Sequence, residues 1–167
     1  VEKKNAVLRA WANVVTQERQ KSKIIPMVEE LLREYSEFES ETHKKIVGLR
    51  SSINNFDTEN KQDHSSLKKL EEQTKAIKHS LMLTVEDYPS LKSSTLFKSV
   101  MDEITEQEDN VGASIKIYNQ NIEIFNTGIQ IFPNSIVNKV FNKETEFVVF
   151  TDEQAQSSLV HGPSQSR

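Results

Sequence analysis

Cysteine is absent, which excludes disulfides and thiolate metal sites and leaves the redox compartment open. Glycine and proline are scarce, four of each in 167 residues, too few for the hairpin turns of a many-stranded sheet protein. No stretch approaches the roughly 18 uncharged apolar residues of a membrane-spanning helix. No N-x-S/T sequon occurs. Concentrated basic charge is missing as well. The 21 Lys and Arg are dispersed among 25 Asp and Glu, with no basic run of the kind that grips phosphates, so no nucleic-acid partner is expected. What is present, 28% charged and 35% apolar residues, is the balance of long, solvent-bathed helices around one core.

Apolar spacing places those helices. From Lys3 to Phe56, apolar residues recur at Val7, Trp11, Val14 and Val15, pause across "QERQKSK" (17–23), and resume at Ile24, Val28, Leu31, Tyr35 and Phe38. They continue at Ile46, Leu49, Ile53 and Phe56, so steps of three and four predict one long amphipathic helix. Pro26 lacks a backbone N–H and disfavours helical geometry at Ile25, which predicts a kink or short break near residues 22–26. "NNFDTENKQDH" (54–64) reads as a polar turn. A second helix follows from Ser66 with Leu67, Leu70, Thr74, Ile77 and Leu81 on its stripe and Ser65 or Ser66 as N-cap. Pro89 breaks it, and Ser93 or Ser94 caps the third.

That third helix, about 94–132, is the most regular. Phe97, Ile104, Val111, Tyr118, Phe125 and Phe132 form one heptad column, and Met101, Glu108, Ile115, Ile122 and Ile129 its companion. Ile117, Ile124 and Ile131 add a further column, giving an apolar arc about 160° wide that needs more than one neighbouring helix to cover it. Pro133 ends the helix, "SIVNKVF" (135–141) fits about two helical turns, and Phe147 to Phe150 are apolar again. The predicted fold is all-α: an elongated, antiparallel, up-and-down four-helix bundle spanning residues 1–150, followed by a largely disordered tail, 151–167.

Catalytic and metal motifs are not found. The four histidines form no H-x-x-x-H pair, and none follows a Glu by three residues as in di-iron bundles. "DTENKQDHSSLK" (57–68) begins like a calcium loop but places Lys61, Gln62 and Lys68 where ligands and the turn glycine belong. No phosphate-binding glycine loop or nucleophile elbow occurs. The expectation is a non-enzyme with no cofactor and no metal. The candidate positions are polar residues on apolar faces. Gln107, Ser114, Asn121 and Gly128 form a column inside the arc that either permits close helix packing or lines a small hydrated pocket. Glu108 interrupts an apolar column. Asn119 and Asn126, one heptad apart, stand against poor helical propensity. Either they bridge to a neighbouring helix or broken backbone such as that at Pro26, or they line a ligand or peptide groove.

Three segments carry a family resemblance. "YNQNIEIFNTGIQIFP" (118–133) resembles the YNxxVxxYNxxxxxFP signature of the LemA family, "DYPSLKSSTLFKSV" (87–100) its YPxLKAxxxFxxL segment, and "RAWANVVTQERQKSKIIPMVEELLREY" (9–35) its AWxxVxxQxxRRxDLIPNLVxxVxxY segment. They occur in family order and cover most of the chain. Departures are Phe125 for the second Tyr, Ser114-Ile115 for an Ala-Arg, Met27 for the Asn after Pro, and "FNKETEF" for a Gly-Phe. The resemblance implies a four-helix bundle behind one N-terminal transmembrane helix, at the bacterial membrane and without an assigned reaction. That helix is expected upstream of Val1, with the bundle in the adjacent aqueous compartment. The functional expectation is a scaffold or accessory factor binding an unidentified protein partner. The alternative is a small-ligand or peptide binder using the polar seam.

Overall fold

The computed structural model describes residues 1–58, 61–130 and 145–151, and every regular element among them is helical. In chain order these are α1 (Glu2–Gln20), α2 (Ile24–Glu34), α3 (Ser40–Asn55), α4 (His64–Glu86), α5 (Pro89–Lys92) and α6 (Thr95–Gln130). Phe132, Pro133, the short helix read at 135–141 and nearly all of the 151–167 tail lie outside the described residues.

The interruption tied to Pro26 lies just upstream of it. Lys21–Lys23 tighten into a single 3-10 turn while the backbone stays right-handed throughout. Pro26 falls in the first turn of α2, where its missing N–H leaves no intrahelical bond unmade. The N–H of Ile24 reaches the carbonyls of both Lys21 and Ser22. This shared bond takes up the Ser22 carbonyl that a residue with an N–H at position 26 would have capped.

A second break departs from the expected single helix. Tyr35 turns extended (φ −123°, ψ 115°) and α3 begins only at Ser40, so residues 3–56 form three helices. Neither Gly nor Pro marks the place. Periodicity misses it because the turn keeps the inward register: Leu31 before it and Phe38 and Thr42 after it are all buried. α4 likewise starts earlier than expected, with Asp63 as its cap. Asp63 Oδ1 accepts from the Ser66 N–H at 3.0 Å, and the Ser66 hydroxyl donates to Oδ2 at 2.6 Å. The preceding turn, which lacks glycine, carries positive φ at Asp57 (44°) and Gln62 (54°). Asp tolerates that region through local hydrogen bonds, and Asp57 Oδ1 accepts from the Lys61 N–H at 2.8 Å. Pro89 opens α5, and the Ser94 hydroxyl caps α6 by accepting from the Phe97 N–H at 3.3 Å.

Two compact units emerge: Val1–Val14 with Val111–Arg167, and Val15–Asn110. In the first, Val7, Ala10, Trp11 and Val14 of α1 are buried, as are Val111, Ile115, Tyr118, Ile122 and Phe125 of α6. Trp11 and Tyr118 stack at 5.1 Å with a tilt of 53°, a geometry that adds about 0.5–1.5 kcal/mol beyond burial. In the second unit α3 packs on α4, with Ile46, Leu49 and Ile53 of α3 and Leu70, Ile77 and Leu81 of α4 all buried. The Arg19 guanidinium donates to the Phe56 carbonyl at 3.2 Å, meeting one of the unpaired carbonyls at the α3 C-terminus.

The apolar arc of α6 is narrower than its sequence suggests. Ile117 is 49% and Ile124 54% exposed, so these two face outward, while Ile131 lies outside the described residues. Beyond the two heptad columns, the buried side of the helix takes in Ser114 and Gly128 instead.

Candidate functional site

Asn119 and Asn126 sit on the opposite flank of α6 from the exposed isoleucines. At about 100° per residue they lie roughly 80–100° to one side of Tyr118, and Ile117 and Ile124 lie 100–120° to the other. Each amide grips the main chain of one residue in the segment 145–151. Asn119 Nδ2 donates to the Phe150 carbonyl at 2.8 Å while its Oδ1 accepts from the Phe150 N–H at 3.0 Å. Asn126 does the same at Phe147, at 2.9 and 3.0 Å.

The register follows from elementary dimensions. Seven helical residues rise about 10.5 Å. Three residues of a nearly extended chain cover about 9–10 Å, close to the most a chain can reach. Two grips on Phe147 and Phe150 therefore hold the segment extended, running antiparallel to α6. A repeat of three residues facing one helix is the period of polyproline-type chain, whereas a β-strand repeats every two. Aromatic contacts reinforce the grips. Phe147 stands edge-on to Phe125 at 5.1 Å and 71°, and Phe150 is buried. The heptad spacing of the asparagines is thus matched to a peptide backbone, and the bridges run to this segment.

The remaining predicted positions turn inward or onto their own helix. Ser114 is buried and donates to the Val111 carbonyl at 2.7 Å. Asn121 Nδ2 donates to the Ile117 carbonyl at 2.8 Å. Gln107 is buried, donates to Glu103 at 2.8 Å, and leaves its Oε1 without a hydrogen-bond partner. Gly128 faces the Lys3 side chain of α1, whose Nζ would stand 3.1 Å from an added Cβ. Glu108 pairs with Lys78 across α4 and α6 at 3.2 Å. No single site gathers these residues.

Sequence reasoning missed a buried ion cluster in the second unit. Lys21 Nζ lies 2.7 Å from Glu71 Oε1 and 3.0 Å from Glu18 Oε2, and all three residues are within 3% of complete burial. Burial pushes the Glu18 carboxyl up, Lys21 pulls it down, and a hydrogen bond to Glu71 with repulsion from it leaves the value well above the ordinary 4.5. Burial also pushes Glu71 up, but the Glu18 hydrogen bond and Lys21 outweigh it and hold Glu71 below its ordinary value. Desolvation would lower Lys21, and the two carboxyls more than compensate. The two carboxyls are thus driven in opposite directions around one ammonium, Glu18 toward the acid and Glu71 toward the anion. Glu18 and Lys21 are fully buried and Glu71 nearly so, and the three charges meet one another. The signal was legible: Val7, Trp11, Val14, Glu18, Lys21, Ile25 and Val28 alternate by four and three, placing the two charges on the inward seam.

An open cleft of about 360 Å³ in the second unit is lined by Glu37, Glu39, Glu41, Lys45, His79 and Asp87 among others. Among the described residues no three His, Asp or Glu side chains converge as metal donors. No described helix is long and apolar enough to cross a membrane.

The class that emerges is an all-α protein with a buried ion cluster in one unit and an asparagine grip on extended backbone in the other. The chain belongs to the LemA family, whose model matches residues 10–161. It is similar to Protein LemA of Metamycoplasma hominis, 36% identical over 103 residues, a match covering 62% of this chain and 45% of that protein. The match therefore spans less than half the length of that relative.

Proposed function

We propose that this chain is a non-enzymatic helical interaction protein, a scaffold or accessory factor built as an antiparallel four-helix bundle and tethered at the bacterial cell membrane. The observation that carries the interaction reading is the pair of two-point grips by Asn119 and Asn126 on peptide main chain. Two asparagines beside the buried columns of α6 are matched in spacing to a polypeptide. The buried ions of the second unit, by contrast, pair with one another. The tether rests on the family resemblance, which implies one membrane helix upstream of Val1.

A small-ligand pocket along Gln107, Ser114 and Asn121 is the weaker alternative. The Ser114 hydroxyl and Asn121 amide are both directed at carbonyls of their own helix.

The test is site-specific photo-crosslinking in native membranes, using the gene with its own upstream sequence. A photoreactive residue at Val148, 75% exposed beside the grips, is expected to capture a defined protein, and one at His43 in the other unit is not. Equal capture at both positions, or none at either, overturns the interaction reading. Recovery of the protein in the salt-washed soluble fraction overturns the tether.

A further inference from the structure

We infer that the Asn119/Asn126 face of α6 is a docking site for an extended peptide of another protein, with aromatic side chains at its first and fourth positions. Residues 145–151 are its resident, exchangeable occupant. The inference rests on the interaction reading above and names the partner's chemistry.

The resident segment defines what fits. Both asparagines contact only backbone N–H and C=O, so they recognise an extended main chain of any sequence. Selectivity comes from the aromatics. Phe147 meets the Phe125 ring edge-on, and Phe150 is 4% exposed. Between them Val148 points to water, and Thr145, Glu146 and Thr151 are exposed as well. The site thus reads positions one and four, leaves Val148 in water, half-buries Val149, and has Glu146 accepting from Gln130. This is the pattern of a peptide groove, where main-chain hydrogen bonds hold the ligand and separate pockets select side chains.

Exchange is favoured by where the segment lies. It is held to the α6 flank that carries Asn119 and Asn126, so lifting it away uncovers those two amides and the Phe125 ring. An incoming peptide with the same two aromatics remakes the same four hydrogen bonds, leaving little difference between the two states beyond the tether. A tethered occupant competes at the effective concentration its linker sets, so an external ligand binds the wild-type chain more weakly than a chain whose own segment has been disabled.

Two measurements test this on the full chain. In the wild-type protein, the N–H groups of Phe147 and Phe150 are expected to exchange with solvent at least about 100-fold faster than those of Ile115 to Phe125, reporting opening of the segment alone. Exchange at the rate of the α6 amides overturns the inference, because the segment would then leave only when the unit unfolds. The second is fluorescence anisotropy with a labelled peptide of residues 145–151, "TEFVVFT". It is expected to bind a Phe147→Ala/Phe150→Ala chain saturably and the wild-type at least about tenfold more weakly. Binding should vanish for the peptide with both phenylalanines replaced by alanine, and when Asn119→Ala and Asn126→Ala are added to the chain. Absence of binding, or binding indifferent to the asparagines, overturns the site. So does a concentration-dependent dimer that the peptide fails to dissociate, which would give the face to a second copy. If the doubly substituted chain does not fold, the exchange rates decide alone. Capture at Val148 that persists in the Asn119→Ala/Asn126→Ala protein would leave the interaction reading standing while removing this site.

Discussion

Lys21 shows how much depends on one charge at residue scale. Two buried carboxyls lean on it, and without it Glu71 keeps only the weaker attraction of Lys75. Lys21→Met is therefore expected to cost about 3–5 kcal/mol in urea unfolding, the range for stripping one partner from a buried pair. Burial pushes the Glu18 carboxyl toward its neutral form. Glu18→Gln preserves shape and a donor, so the same measurement should change by no more than about 1 kcal/mol. A large loss for Glu18→Gln would show that the proton is held elsewhere. Asn119 gives a second contrast. Asn119→Ala strands the N–H and carbonyl of Phe150 and is expected to cost about 1–3 kcal/mol. Asn119→Asp keeps the acceptor but sets a carboxylate oxygen against that carbonyl. Its thermal midpoint should fall at neutral pH and recover in acid, where the carboxyl regains a donor.

At the scale of elements, helix ends are settled by side chains close at hand. Asp63 holds the start of α4 through the Ser66 hydroxyl and N–H, which also keep its carboxyl below the ordinary carboxylate value. Asp63→Ala should destabilise by about 1 kcal/mol, read as a lower thermal midpoint, while Asp63→Ser should recover most of it because a hydroxyl still accepts from the first turn. Equal loss in both variants would mean that the cap is not what the residue contributes. The breaks differ in how openly they show themselves. Those at Pro26 and Pro89 are visible in the sequence because proline alters the backbone itself. That at 35–39 is hidden, because Phe38 returns to the core in step with the preceding stripe and the chain uses neither Gly nor Pro to turn.

For the whole molecule, the ion cluster predicts a pH profile. Glu18, with its folded value raised, contributes stability that is fully present below 4.5 and is lost as pH rises through the folded value. Glu71, held low, contributes stability present above 4.5 and lost as pH falls through its folded value. Unfolding free energy should therefore decline on the acid side as Glu71 protonates, and decline again as pH climbs from 4.5 toward the folded value of Glu18. Glu18→Gln should flatten the upper limb and leave the acid limb in place, as read from urea midpoints across pH. An unchanged upper limb would remove Glu18 from the account.

Local physics was enough to set the class of this protein. Scarce Gly and Pro, steps of three and four between apolar residues, two breaking prolines and a serine cap all act within a few residues, so a linear reading reaches them. The same reading placed Asn119 and Asn126 as unexplained polar residues beside the seam, and even Glu18 and Lys21 stand in its register. Their partners are what tertiary structure decided. Asn119 meets Phe150 across 31 residues, and Lys21 meets Glu71 across 50. No period in the sequence links groups that far apart. Whether a buried amide or charge is a liability or a tie depends on the donor or acceptor that folding brings to it.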